Sequence, residues 1–274
     1  MGRKAEHAVF DHGLVSYFLI GFCVMAVTSM CGLIAAIILR IIIPGFDTNA
    51  ASGVGAAISS LAIALAFRLY FAKDGYKGIL NGNRFFWSFL MMLPFLVVHY
   101  TGSFISWREF GFSGKILIAL LTALTPGFVE EMAFRGLGVA NFMRTAKSGK
   151  DIRLIFWVSS VVFGLVHIMN INAGGAVIAS LIQSVYAIGV GMLFCAVYLR
   201  TGNLWPTIIA HMSVDFMEFL RGDLEASGGT MTGLGTGDWV TIGASAVAVV
   251  ISLILMNKKH EGEIMALWNK KWGQ

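Results

Sequence analysis

Six ionisable residues lie where the chain is otherwise apolar, and their types suit the activation of water. In LTPGFVEEMAFRGLG, residues 124–138, Glu130 and Glu131 are adjacent and Arg135 follows. FGLVHIMN carries His167, and IIAHMSVDF carries His211 and Asp215, which are spaced i, i+4 and share one helical face. Each charge at mid-span costs roughly 2.5–3.5 kcal/mol, so Glu130, Glu131 and Arg135 would together cost on the order of 8–10 kcal/mol if unpaired. Glu131 and Arg135 are i, i+4 with the acid first, the order that favours a helical ion pair. They read as a brace in preference to a catalytic pair. On an α-helix Glu130 points about 100° away from Glu131 and needs a different partner. A carboxylate with a His can activate water by general-base catalysis. Glu130, His167 and His211 also make a three-ligand set suited to Zn2+ with an open water position. The plainer readings stand beside these: a lone intramembrane His is often a packing residue, and His211–Asp215 can be a local helix pair.

The elements that must carry these residues are membrane helices. The chain has 274 residues, 57% hydrophobic and 13% charged, with mean hydropathy +0.77. A soluble domain carries about 25% charged residues. Repeated apolar runs of about 20 residues at half that charge density predict an all-α, polytopic bundle. The alternating short strands of a β-barrel are absent. We expect one integral membrane domain over 1–274, a motif-bearing core at about 115–220, and a tail at 258–274. Eight spans are predicted, at about 15–43, 52–72, 85–101, 115–143, 153–170, 175–199, 204–220 and 239–257. The first is too long for a cleaved signal segment and is read as retained. Residue 6 is Glu, so the N-terminal myristoylation pattern fails.

Lys and Arg set the orientation. With the N-terminus inside, fifteen fall on the cytoplasmic side and four (Arg40, Arg108, Lys115 and Arg221) on the outer side, with Arg135 within a span. Both termini are therefore expected in the cytoplasm, the protein being multi-pass in the cell membrane. The net charge of +5 flanks apolar runs and serves topology, which argues against nucleic acid as a partner. Trp87, Trp107, Trp157, Trp205 and Trp239 fall near span ends, as an aromatic belt requires. The tail places Ile264, Leu267, Trp268 and Trp272 near one helical face, so an interfacial helix and a disordered tail are both open. The stretch EASGGTMTGLGTGD reads as a mobile loop. Cys23, Cys31 and Cys195 lie in apolar runs and read as small buried hydrophobes.

Depth can be compared along the helices. Glu130 lies fourteen residues from Arg144, and His167 fourteen from Arg153. Both sit about 21 Å from the inner flank. His211, eleven residues beyond Arg200, sits at about 16 Å. Gly127, Gly136, Gly138 and Gly164 would permit close helix approach around this layer. Pro126, one turn before Glu130, should kink the helix or free a carbonyl.

Glu130-Glu131-Met132-Ala133-Phe134-Arg135, Phe163-Gly164-Leu165-Val166-His167 and His211-Met212-Ser213-Val214-Asp215 resemble the E-E-x-x-x-R, F-x-x-x-H and H-x-x-x-N/D motifs of the CPBP family. That family comprises type II CAAX prenyl proteases and the bacteriocin-processing and immunity (Abi) proteins. The resemblance implies an intramembrane endopeptidase acting on a membrane-associated peptide or protein. Glu130 and His167 would activate the attacking water, and His211 with Asp215 would stabilise the oxyanion. Glu131 and Arg135 would orient the site. The family has been described both as metalloproteases and as metal-independent glutamate proteases, so Zn2+ bound by Glu130, His167 and His211 is one of two implied mechanisms. The prenyl-protease branch has Asn where this chain has Asp215. An ionised Asp cannot donate to an oxyanion, so Asp215 is expected to orient His211; the departure points away from eukaryote-style prenyl-protein maturation and towards a bacterial member, with prenylated and unprenylated substrates both open. Two further readings use the same residues. One is a proton-coupled transporter, for which no internal repeat is found. The other is a non-catalytic immunity or scaffold protein.

Overall fold

The structure is a computed structural model that describes residues 10–82, 84–106, 115–171, 177–221 and 236–274. The expectations on Arg3, Lys4, Trp107 and Arg108, and on most of the Gly/Thr-rich stretch before the last span, fall outside these residues.

All eight expected spans are helical. They are α1 (Leu14–Ile42), α2 (Thr48–Tyr70), α3 (Phe85–Ser106), a segment begun by α4 (Lys115–Leu124), α6 (Gly149–Val166), α7 (Val177–Thr201), α8 (Trp205–Arg221) and α9 (Thr236–Leu255). The segment begun by α4 continues through a π-helical stretch, Thr125–Val139, into α5 (Ala140–Thr145). By length and apolarity six of the described helices can cross a membrane, or seven if α9 is counted with the bent helix that follows it. The remaining segment, α8, has 17 residues and carries His211, Asp215 and Glu218. Helix starts follow their caps. Asp47 accepts from the Ala50 N–H at 2.9 Å at the start of α2, and Ser148 with Asp151 forms a capping box on α6.

Two cores organise the bundle. One gathers Tyr17, Met132, Phe134, Phe156, Phe163, Tyr198 and the tail tryptophans around the π stretch. The other joins α3, α7, α8 and α9 through Met92, Phe95, Phe194, Val214 and Ala248. Large apolar side chains face outward, among them Leu33, Ile41, Leu65 and Phe86. A surface this apolar would be unstable in water and fits acyl chains. Of the cysteines expected to be buried, Cys195 is; Cys23 lies on the exposed face of α1 and Cys31 is half-buried, and all three are free thiols.

One end of the bundle collects the basic flanks. The tail forms α10 (Glu261–Lys271), which lies across that end. Trp268 Nε1 donates to the Leu199 carbonyl at 3.0 Å, and Trp272 Nε1 to the Ala140 carbonyl at 3.1 Å. Arg153 pairs with Glu261, and Arg200 with Glu263 at 2.9 Å. Of the two readings open for the tail, the helix is the one formed, and its tryptophans are buried.

Candidate active site

The motif acids sit in the π stretch, whose i→i+5 bonding gives more residues per turn than an α-helix. Adjacent side chains are therefore separated by less than 100°. Pro126, at the head of the stretch, removes a donor from the ladder and favours the change of register. The consequence differs from the α-helical expectation. Glu130 and Glu131 both reach the same imidazole, that of His211, one at each ring nitrogen.

Glu131 is fully buried, and its Oε1 accepts from Arg135 Nη1 at 2.8 Å. The same oxygen lies 3.0 Å from His211 Nδ1. The ion pair read from the spacing is present, and it also fixes the His211 imidazole. His211 Nε2 faces Asp215 Oδ2 at 3.3 Å and Glu130 Oε2 at 3.9 Å. Exposure separates the acids: the side chains of Glu130 and Asp215 are 27% and 24% exposed, whereas Glu131 is sealed. The Glu130 Oε2 atom is itself buried without a hydrogen-bond partner among the described residues. An unsatisfied carboxylate oxygen there calls for a donor from water or substrate.

Close helix approach makes this convergence possible. A Cβ on Gly127 would run into the Met212 side chain and come within 3.2 Å of the Ile208 carbonyl. The bare backbone thus lets the π stretch lie directly on α8. Gly164 likewise meets α7, with the Ser184 carbonyl 2.7 Å from a Cβ position.

His167 stands apart. α6 ends at Val166, and His167 opens a 3-10 turn. Its Nδ1 lies 2.9 Å from the Phe163 carbonyl. Donation to that carbonyl places the ring lone pair on Nε2. Among the described residues no hydrogen bond or ion pair joins His167 to Glu130 or His211. The link is the Phe163 ring, 5.1 Å from the His167 ring and 5.8 Å from that of His211. The Arg135 guanidinium lies 3.6 Å from the centroid of the same ring. Gly191 of α7 leaves room for this stack, since a Cβ there would sit 3.0 Å from Arg135 Nη2 and 3.1 Å from Phe163 Cδ1. Neither role is visible in the spacing of the acids and histidines.

A second polar layer adjoins the first and was not anticipated. Tyr186 of α7 is 3.0 Å from His99 Nδ1 of α3, and His99 Nε2 lies 4.0 Å from Glu218 of α8. Tyr100 donates to Ser213 at 2.5 Å. Glu218 continues the face of His211 and Asp215, and ionisable groups within apolar runs were the available signal.

Among the described residues no three His, Cys, Asp or Glu side chains group as a cation cage. The His211 nitrogens are directed at Glu131 and Asp215, and His167 is turned to a backbone carbonyl. As arranged, Glu130, His167 and His211 do not fit Zn2+, and no chemical step is assigned to a metal.

Residues 112–217, which carry all three motifs, match the sequence model of a family described as Rce1-like, type II CAAX prenyl endopeptidase. This match supports the resemblance of the three motifs to the CPBP family. The matched family suggests protease activity, and the long apolar helices an integral membrane protein. The match runs from α4 to α8 and leaves α1–α3, α9 and α10 outside it. No curated protein and no solved structure matches the chain.

Proposed function

We propose that this protein is an intramembrane endopeptidase that hydrolyses a peptide bond of a membrane-associated substrate, with Glu130 as general base. The observation that carries the reading is the position of Glu130 Oε2, buried, lacking a donor among the described residues, and 3.9 Å from His211 Nε2. A water lodged between them would give one proton to Glu130 as its oxygen attacks the scissile carbonyl carbon. The carbonyl oxygen gains the negative charge. His211 meets it through Nε2–H, with Nδ1–H held by Glu131 and the ring aimed by Asp215. Collapse of the tetrahedral intermediate breaks the C–N bond, and the proton held by Glu130 passes to the leaving amine. Arg135 fixes Glu131, and Phe163 carries Arg135 on its face and meets His167 and His211 edge-on. His167 Nε2 assists the attacking water from the neighbouring helix.

The test uses the full chain in liposomes with a membrane-tethered peptide library read by mass spectrometry. Glu130→Gln and His167→Ala should insert and purify normally and lose cleavage by at least about a hundredfold, the usual size of an acid–base contribution. Turnover near wild type in both variants rules out the assignment. A proton flux that depends on Glu130, without cleavage, would favour the transporter reading instead.

A further inference from the structure

Away from the active site, a groove of about 300 Å³ opens on the membrane-facing side of α2, lined by Leu61, Leu65 and Arg68 and by residues 77–81 of the loop that follows. Leu61, Leu65 and Arg68 are spaced i, i+4, i+7, so they form a single stripe about 10 Å long on α2. The stripe is apolar towards the bilayer centre and cationic at the end of the bundle that gathers the basic flanks. Lys77 faces Arg68 across the groove. Both side chains are exposed, and among the described residues neither has an ion pair. The acid nearest in sequence, Asp74, does not line the groove.

The loop carrying Lys77 is held rather than hanging. Lys271 Nζ donates to the Asn81 carbonyl at 2.6 Å, the Lys77 N–H to the Lys271 carbonyl at 3.0 Å, and the Leu204 N–H to the Ile79 carbonyl at 3.2 Å. Gly78 adopts φ +89°, and a Cβ there would lie 3.0 Å from Arg68 Cδ. A glycine at this turn therefore lets the loop close over the arginine stem. Lys271 stands behind these two cations. Burial, and then the charge of Lys77, push the Lys271 ammonium down to about 7. Arg68 and Lys77 are thus held on one groove whose lining, among the described residues, includes no acid, and an anion seated there would relieve their repulsion.

We propose that this groove is a binding site for an anionic phospholipid, its headgroup phosphate held between Arg68 and Lys77 and its acyl chains laid along Leu61 and Leu65. The apolar stripe is what distinguishes a lipid from free phosphate: it continues from the cations in the direction an acyl chain must take. The site is independent of the peptidase reading, because none of its residues belongs to the motifs.

The experiment is native mass spectrometry of the full chain released from micelles, titrated with phosphatidylglycerol and with phosphatidylcholine. Phosphatidylglycerol should bind in preference. Arg68→Ala/Lys77→Ala should lose affinity by about thirtyfold, the effect of two cations at an anionic surface. The charge-conserving Arg68→Lys/Lys77→Arg should keep most of it. Lys147→Ala/Lys150→Ala, which removes two exposed cations from the start of α6 and the turn before it, at the same end, should bind as wild type does. Equal binding of phosphatidylcholine, unchanged binding in the alanine pair, or an equal loss in the control pair would each overturn the proposal. Displacement of the lipid by an equal concentration of glycerol phosphate would also overturn it, by showing that the acyl stripe contributes nothing.

Discussion

Removing Arg135 tests the brace beneath the active site. Arg135→Met keeps a long apolar stem but deletes the 2.8 Å ion pair with Glu131 and the stack on Phe163 at 3.6 Å. Breaking one side of a fully buried pair costs about 3–5 kcal/mol, because the remaining charge is stranded. A desolvated cation–π contact adds up to about 2 kcal/mol. His211 still faces Glu131, which draws the expected loss towards about 3–5 kcal/mol in total. Glu131→Leu alone strands Arg135 and should cost a similar amount. The double variant strands neither, and well-packed apolar replacements of a buried pair are often close to neutral. The cycle should therefore show a coupling of at least about 3 kcal/mol, far outside additivity. Reversible unfolding in bicelles, followed by steric trapping, measures all four proteins. The double variant should be folded and inactive, since His211 has lost its Nδ1 partner. A cost below about 1 kcal/mol for Arg135→Met, or additive singles, would refute the view that this pair carries the site.

Three further outcomes are expected. Gly127→Ala places a methyl against Met212 and the Ile208 carbonyl; it should lower stability by about 1–3 kcal/mol and reduce cleavage, and Met212→Ala should restore much of both. Lys271 has a folded pKa of about 7 against an ordinary 10.5, so above pH 7 the unfolded state holds more protons. The docking of α10 should then strengthen with pH between about 7 and 10, by up to about 1.4 kcal/mol per pH unit. Hydrogen exchange at the Trp268 and Trp272 indoles reads this slope, and Lys271→Met should flatten it. Because the donor set does not fit a zinc ion, cleavage should survive prolonged treatment with a chelator. Loss on chelation, with recovery on adding Zn2+, would contradict that geometry.

The Glu131–Arg135 pair was legible because i, i+4 charges of that order pair on almost any helical backbone. The placement of Glu130 was not. Its separation from Glu131 was judged on α-helical geometry, and a π register leaves no periodic signature in side-chain type. Pro126 and the glycines at 127, 136 and 138 were the only marks of an altered backbone. His211–Asp215 followed from spacing on a regular helix. His167 shares a depth with Glu130 along an ideal helix, yet α6 stops one residue short of it, so depth did not become contact. Phe163 was marked by the F-x-x-x-H spacing, but its place between Arg135, His167 and His211, and the space that Gly191 leaves for it, come from packing alone and have no signal in residue spacing. His99, Tyr186 and Glu218 carried the same signal as the motif residues but lacked a spacing that tied them together. The tail helix was half visible in the face formed by Ile264, Leu267, Trp268 and Trp272; its docking partners lie in loops remote in sequence.

The widened coil at Thr125–Val139 makes chain length, as much as residue identity, a determinant of chemistry in this protein. Taking out one residue upstream of the acids, between Gly127 and Val129, would allow the coil to tighten to four-residue bonding. Both carboxylates would survive such a change, but they would fan apart and no longer straddle a single ring. Substitution scans, which preserve residue count, are blind to this dependence; a deletion scan read by cleavage, alongside an intact fold by circular dichroism, would expose it.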